Sequence, residues 1–443
     1  MSSKPSDRRR FLKDSVALAG LAVGATGSAT GLALGQDAHG PAHEAAKPVP
    51  VHPSQKGGYA SLYGQRSRFA TTAREHDYAG TDRFPAKMVT PLQDIEGIIT
   101  PSPLHFIADH SVPPDTDPKA YRLLIHGMVD RPLSLTLDDL KRLPAESRIC
   151  FVECIGNSAP GKHEGPAMRA GKKPPQSVQE IHGRVSCSEW TGVPLSVVLN
   201  EAGLQKGASW IVSEGADSGR FSNSLPITKA MDDVLLAYSQ NGEAVRPEQG
   251  YPVKLLVPGW HGPFSVKWLQ QIKVVDQPYM TKMEVTTHAY SKPNLKGKER
   301  WFHFEMQPKS VILRPALGQQ LPGRGFYEIT GLAWTGTGAI RRVEVSTDGG
   351  RSWKDAKLQE PVLRMAHTRF RLGWTWDGEE TVLQSRCTDE HGEVQPTLEE
   401  FGRSWGIPNA KEYWQKNSSA FHFNGIQPWR IDRDGKVHDA IFL

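Results

Sequence analysis

The stretch FVECIGNSAPG, Phe151–Gly161, decides how this chain is read. A run of apolar residues, RICFVEC, has the length and β-branched and aromatic character of a buried strand, and it ends in a loop containing Gly156, Pro160 and Gly161. Cys154 stands where the strand becomes the loop. On the residues alone it could be half of a disulfide, a small buried hydrophobe, a nucleophile or a metal ligand. The chain has four cysteines, at 150, 154, 187 and 387. Cys150 and Cys154 would share one face of a strand but lie too far apart along it for easy bridging. No CxxC pair suggests a structural zinc site, and no CxxCH suggests a covalently attached haem.

Around this stretch, from Thr90 to about Val275, short apolar runs (YRLLIHGMV, SWIVSEG, PVKLLVPG, IKVV) mix with the helical segments LTLDDLKRLP, PLSVVLNEAG and ITKAMDDVLLAY. They alternate without a regular βαβ spacing, which predicts an α+β domain with a mixed sheet. From about Gln307 the texture changes to short alternating strands: SVILRP, YEITGLAWTG, AIRRVEVS, TRFRLGWTWDG and ETVLQSRCTDEHG. Asp348-Gly349-Gly350 marks a hairpin between two of them. This pattern predicts an immunoglobulin-like β-sandwich, with an aromatic-rich, irregular tail from Phe401 packing back on the body.

At 443 residues with a formal net charge of +5, the chain is long enough for two domains and only mildly basic. Most of that charge comes from Lys4, Arg8, Arg9, Arg10 and Lys13, set against Asp7 and Asp14. The remainder gives no argument for nucleic-acid binding. DRRRFLK followed by SVALAGLAVGATGSATGLALG resembles a twin-arginine export signal spanning 1–35, rather than a membrane anchor. Residues 36–95 read as an extended arm, and the expected address is the periplasm.

Four segments in order carry a more specific resemblance: FVECIGNS; VSCSEWTGVPLSVVLNEAG, Val185–Gly203; NGEAVRPEQGYPVKLLVPGWHGPFSVKWL, Asn241–Leu269; and AWTGTGAIRRVEVSTDGGRSW, Ala333–Trp353. Together they resemble the sulfite oxidase family of molybdenum enzymes. The resemblance implies a molybdopterin-binding catalytic domain at 96–300 and an immunoglobulin-like dimerisation domain with its tail at 305–443. It also implies a molybdenum-molybdopterin cofactor, with Cys154 of C-x-G-N as the one protein ligand of the metal. A soft thiolate is a suitable donor for that role. His110, Ser224, Lys254 and Lys267 match cofactor-contacting positions, and Tyr290 of TTHAYSKP matches an active-site tyrosine. Cys150 and Cys187 are left as core cysteines.

The departures from the family point to its substrate. Sulfite oxidases surround their dianion with arginines, whose fork suits an oxyanion. Here Ala108, Ala159 and Asn424 stand at three of those positions. That pattern resembles the sulfane dehydrogenase branch, which oxidises a sulfane sulfur presented on a cysteine of a carrier protein. Free sulfite is the alternative, with Lys162, His163, Arg169, Lys172 and Lys173 of an otherwise solvated loop replacing the lost charge. With no haem motif in the chain, the implied electron acceptor is a separate c-type cytochrome, a dihaem subunit in the resembled system. The implied assembly is a homodimer or a heterotetramer.

Overall fold

The computed structural model describes residues 63–64, 66–67, 69–77, 86–286, 289–290, 300–417 and 422–442. The stretch expected to be an export signal, 1–35, and most of the expected arm lie outside the described residues. From Ala73 onward the chain forms a single unit, built around two groups of sheets.

The first group is the mixed α/β part. One antiparallel sheet runs in the order Glu243–Ala244, Leu235–Gln240, Val185–Pro194, Glu146–Glu153, with Lys254–Leu256 also pairing on Leu235–Gln240. The second runs Leu133–Leu135, Leu123–Gly127, Leu269–Val275, Trp210–Gly215, Ser222–Pro226. Its one parallel pairing, Leu123–Gly127 with Leu269–Val275, makes it mixed as predicted. The helices Leu137–Arg142 and Leu195–Ala202 fall where expected, the first held by a Thr136–Asp139 capping box. The third expectation is half wrong. A helix covers only Ile227–Asp232, and Leu235–Gln240 is a strand. That run is buried and pairs with three other strands, so sheet burial outweighs the helical reading of VLLAY.

The second group is the predicted sandwich. A four-stranded sheet, Lys309–Arg314, Gly325–Trp334, Thr368–Trp376 and Lys357–Leu358, faces a five-stranded one. The latter contains Ile340–Ser346 and Thr381–Asp389, and the Asp348 hairpin returns as Lys354–Asp355. The tail is more regular than its sequence suggests. It forms helices at Leu398–Ser404 and Ala410–Lys416, then adds Trp429–Ile431 and Val437–Asp439 to the edge of the sandwich sheet.

Strand Glu146–Glu153 lies between these two bodies, and its alternation shows it. Cys150 and Val152 pack with Trp190, Leu235 and Leu256, whereas Phe151 packs in the core cluster that holds Trp334 and Phe370. The junction is tight. Gly336 donates to Met306 at 2.6 Å and Met306 to Gly259 at 2.9 Å, and a Cβ on either glycine would collide with the other's carbonyl.

Candidate active site

Cys154 follows directly on the last residue of the strand, and hydrogen bonds fix its backbone on both sides. Its N–H donates to Arg184 O at 2.9 Å and its carbonyl accepts from Asn157 N at 2.9 Å, closing a tight turn. Asn157 then braces the turn: Oδ1 accepts from Arg184 N at 3.0 Å, and Nδ2 donates to Glu153 Oε1 at 2.9 Å. Ser158 takes a left-handed backbone with φ of 61°, a costly conformation for a non-glycine residue. Its Oγ, 2.7 Å from His182 Nδ1, and its N–H, donated to Ile181 O at 3.0 Å, hold it there. Ile155 packs into the aromatic cluster of Phe401, Trp405, Trp414 and Phe423. The tail thus anchors the residue after the cysteine.

The half-buried thiol opens into a cavity of about 260 Å³. Four of the sequence-derived site residues line it together: Cys154, His110, Lys254 and Lys267. Lys267 pairs with Asp109 at 2.5 Å and donates to Glu248 O at 2.8 Å. Lys254 is buried, its ammonium 4.9 Å from the Trp190 ring centroid, and among the described residues no carboxylate pairs with it. Burial and then the nearby Lys267 bring Lys254 down to about 7. Lys87 and Arg184 complete the cationic wall, Arg184 being paired with Asp77. Burial pushes the Cys154 thiol up, while the hydrogen bond from the Gly156 backbone and then Lys162 oppose it. A metal binding there must displace a proton.

Two expectations meet different surroundings in the structure. Ser224 does not border the cavity: its Oγ donates to Glu284 Oε2 at 3.2 Å and accepts from Tyr279 N at 2.9 Å. Lys162 and His163 are not solvated substitutes for the missing arginines. Lys162 is buried 3.4 Å from Asp77, and His163 is fully buried 2.9 Å from Asp439, which leaves Arg169, Lys172 and Lys173 as the exposed part of that loop. Tyr290 has a described backbone, paired with Trp301, but its side chain lies outside the described residues. Of the three arginine-free positions, Ala108 lines the cavity; Ala159 and Asn424 are buried and do not border it. All four cysteines are free thiols.

Sequence reasoning missed His105. It lines the cavity and is almost wholly buried, and among the described residues its Nε2 has no hydrogen-bond partner. Burial and the positive charge of Lys254 hold its pKa well below the ordinary histidine range, so the ring is neutral. Asp109 Oδ2 is likewise buried and unpartnered. Buried polar atoms ordinarily have partners, so these two fit a cavity shaped for a polar guest. Among the described residues no cluster of three His, Cys, Asp or Glu could hold a metal ion. A metal at Cys154 must therefore bring most of its donors with it. A cationic wall, unpaired polar atoms and a single soft sulfur fit a metal carried on an anionic organic chelate.

Gly262 packs behind the turn. A Cβ there would come within 2.7 Å of Glu153 O and 3.4 Å of Cys154 N, both backbone atoms that cannot swing aside. Gly262→Ala is expected to cost about 1–3 kcal/mol and to lower metal content. Thermal unfolding and metal analysis of the purified variant check both.

Comparison with known proteins agrees with this geometry. Residues 110–283 match the family described as oxidoreductase molybdopterin binding domain, and residues 300–416 the family described as Mo-co oxidoreductase dimerisation domain. The crystal structure of the sulfane dehydrogenase SoxCD from Paracoccus pantotrophus is similar with a TM-score of 0.77 at 35% identity, over 88% of this chain and 97% of that one. Mitochondrial sulfite oxidase of Mus musculus is 32% identical over 322 residues, 68% of this chain and 58% of that protein. The NADH nitrate reductase of Ulva prolifera is 30% identical over 72% of this chain but only 40% of its own length. The chain thus spans less than two thirds of these curated relatives.

Proposed function

Starting from a chain that belongs to the sulfite oxidase family of molybdopterin oxidoreductases, we propose that it oxidises a sulfane sulfur held on a carrier protein's cysteine and passes the electrons to a separate c-type cytochrome. Its cofactor is molybdenum-molybdopterin. When bound, that group supplies oxygen-atom transfer to sulfur; each step adds one oxygen from water and releases two protons and two electrons. The residues proposed to hold it are Cys154, as the metal's protein ligand, with Lys254, Lys267 and His110 toward the pterin. Lys254 contributes an ammonium that no carboxylate among the described residues pairs with, and Lys267 one already held in place by Asp109. His105 Nε2 offers a further polar contact.

The observation that carries the sulfane reading is Ala108. It lines the cavity with a methyl group, at the position where the sequence resemblance places an arginine in the free-sulfite enzymes. A wall without that fork gives up a bidentate grip on a small dianion and leaves room for a sulfur delivered on an arm. One observation favours free sulfite instead: Lys254, whose unpaired charge could receive a small anion. Export through the twin-arginine route to the periplasm is part of the same proposal, as is assembly with a dihaem cytochrome subunit as a homodimer or heterotetramer.

The test is turnover of the purified, molybdenum-loaded protein with cytochrome c as acceptor, using free sulfite in one arm and a persulfidated carrier protein in the other. Carrier-dependent turnover, with sulfite weak, is the expected result. Robust turnover of sulfite alone would replace the sulfane reading.

A further inference from the structure

Glu153, next to the proposed ligand, is fully buried in the seam between the catalytic part and the sandwich. Three donors converge on its carboxylate. Lys309 Nζ donates to Oε1 at 2.6 Å, Asn157 Nδ2 donates to the same oxygen at 2.9 Å, and Trp334 Nε1 donates to Oε2 at 2.6 Å. Lys309 is 2% exposed and also reaches Ser158 Oγ at 3.4 Å. Lys309 opens one sandwich strand and Trp334 closes the next. Asn157 and Ser158 belong to the turn that carries Cys154. The sandwich thus grips that turn through one carboxylate.

A buried ion pair is a poor device for stability alone. The cost of taking both charges out of water often exceeds their attraction, and apolar residues of the same volume frequently do as well or better. What such a pair does supply is direction. Charge-assisted bonds at these distances tolerate little displacement, and here they act on Glu153, directly before the cysteine, and on Asn157 and Ser158, which close the turn after it.

We propose that Glu153 and Lys309 are positioning residues through which the sandwich domain sets the approach of the Cys154 sulfur to the metal. This rests on Cys154 being the ligand. Neither residue borders the cavity, so any effect they have on the metal must pass through the turn.

The test compares holoenzyme carrying Glu153→Gln, Lys309→Met, Lys309→Arg or the double change Glu153→Gln/Lys309→Met. The readings are molybdenum per chain, thermal unfolding, turnover, and the paramagnetic resonance signal of the odd-electron metal, which is sensitive to the geometry of its sulfur donors. Glu153→Gln leaves the buried Lys309 without its anion, so both unfolding temperature and turnover fall. The double variant removes both charges and regains most of the lost unfolding temperature. Its resonance signal stays displaced and its turnover stays about 10–100-fold down, the range for groups that orient a metal ligand. A double variant with the wild-type signal and rate would show a purely structural pair and overturn the proposal. If that variant does not fold, Lys309→Arg decides. It keeps the charge but changes the reach, and an unchanged signal with unchanged turnover overturns the proposal equally. Cys154→Ala serves as control: a metal signal unaffected by that change sinks the ligand assignment itself, whatever Glu153 does.

Discussion

Cys154→Ser folds and unfolds at nearly the temperature of the parent protein, and does not turn over. The fold survives because the change is nearly isosteric and the turn is held by backbone bonds that do not involve sulfur: Cys154 N to Arg184 O, Asn157 N to Cys154 O. The thiol is only half buried at the cavity wall, so a hydroxyl there does not enter a dry core. The stability change is expected to stay below about 1 kcal/mol. Turnover falls because a serine hydroxyl stays protonated near neutral pH and is a hard, weak donor where a soft thiolate is required. The loss should exceed the roughly 100-fold typical of groups that only orient a ligand. The same change at Cys150, Cys187 or Cys387 should do the reverse. All three are buried, so a hydroxyl left without a partner costs about 1–3 kcal/mol, less at Cys387, whose sulfur already donates to Gln395 Oε1 at 3.8 Å, while turnover per molybdenum stays intact. Thermal unfolding and metal-normalised rates on the four variants separate the roles. Normal turnover by Cys154→Ser would remove the assignment.

How much of this was legible in the sequence depended on how local the signal was. The strand leading to Cys154 and the Asp348 hairpin announce themselves within ten residues, through apolar length and turn chemistry. VLLAY did not, because a short apolar run reads equally well as buried helix or buried strand until its partners are known. Lys162 and His163 looked like surface charge inside a loop rich in glycine and basic residues. Their partners Asp77 and Asp439 lie far away in sequence, and one of them is almost at the end of the chain. The Glu153–Lys309 pair spans 156 positions. One signal did exist for it: a glutamate inside the apolar run FVEC must be paired if it is buried. His105 gave no such hint, since a lone histidine beside Phe106 and Ile107 reads as ordinary core until the unpartnered Nε2 is seen facing a cavity.

Lys254→Met makes the protein without its cofactor more stable and the protein with it weaker. In the empty cavity Lys254 is a buried cation with no carboxylate among the described residues to balance it, and its pKa is lowered from 10.5 to about 7. The sign follows from proton counting. Between pH 7 and 10.5 the unfolded chain holds a proton on this lysine that the native state has shed, so native stability rises with pH across that window. Below pH 7 the native state must carry the charge, and the full penalty applies. Methionine fills a similar volume with no charge, so at pH 6 the cofactor-free variant is expected to gain about 1–4 kcal/mol and to lose much of the parent's rise in stability toward pH 10. With the cofactor the order inverts. An anionic guest gives the ammonium the partner it lacks, a contact worth about 1.5–3 kcal/mol, so its loss should weaken cofactor retention by roughly 10–100-fold. Unfolding curves at pH 6 and pH 9, with and without cofactor, together with the rate of molybdenum loss on dilution, measure both halves. If the cofactor-free variant is destabilised at pH 6, Lys254 is satisfied by the protein itself. The cationic wall would then be a structural feature of the fold and not a site waiting for an anion.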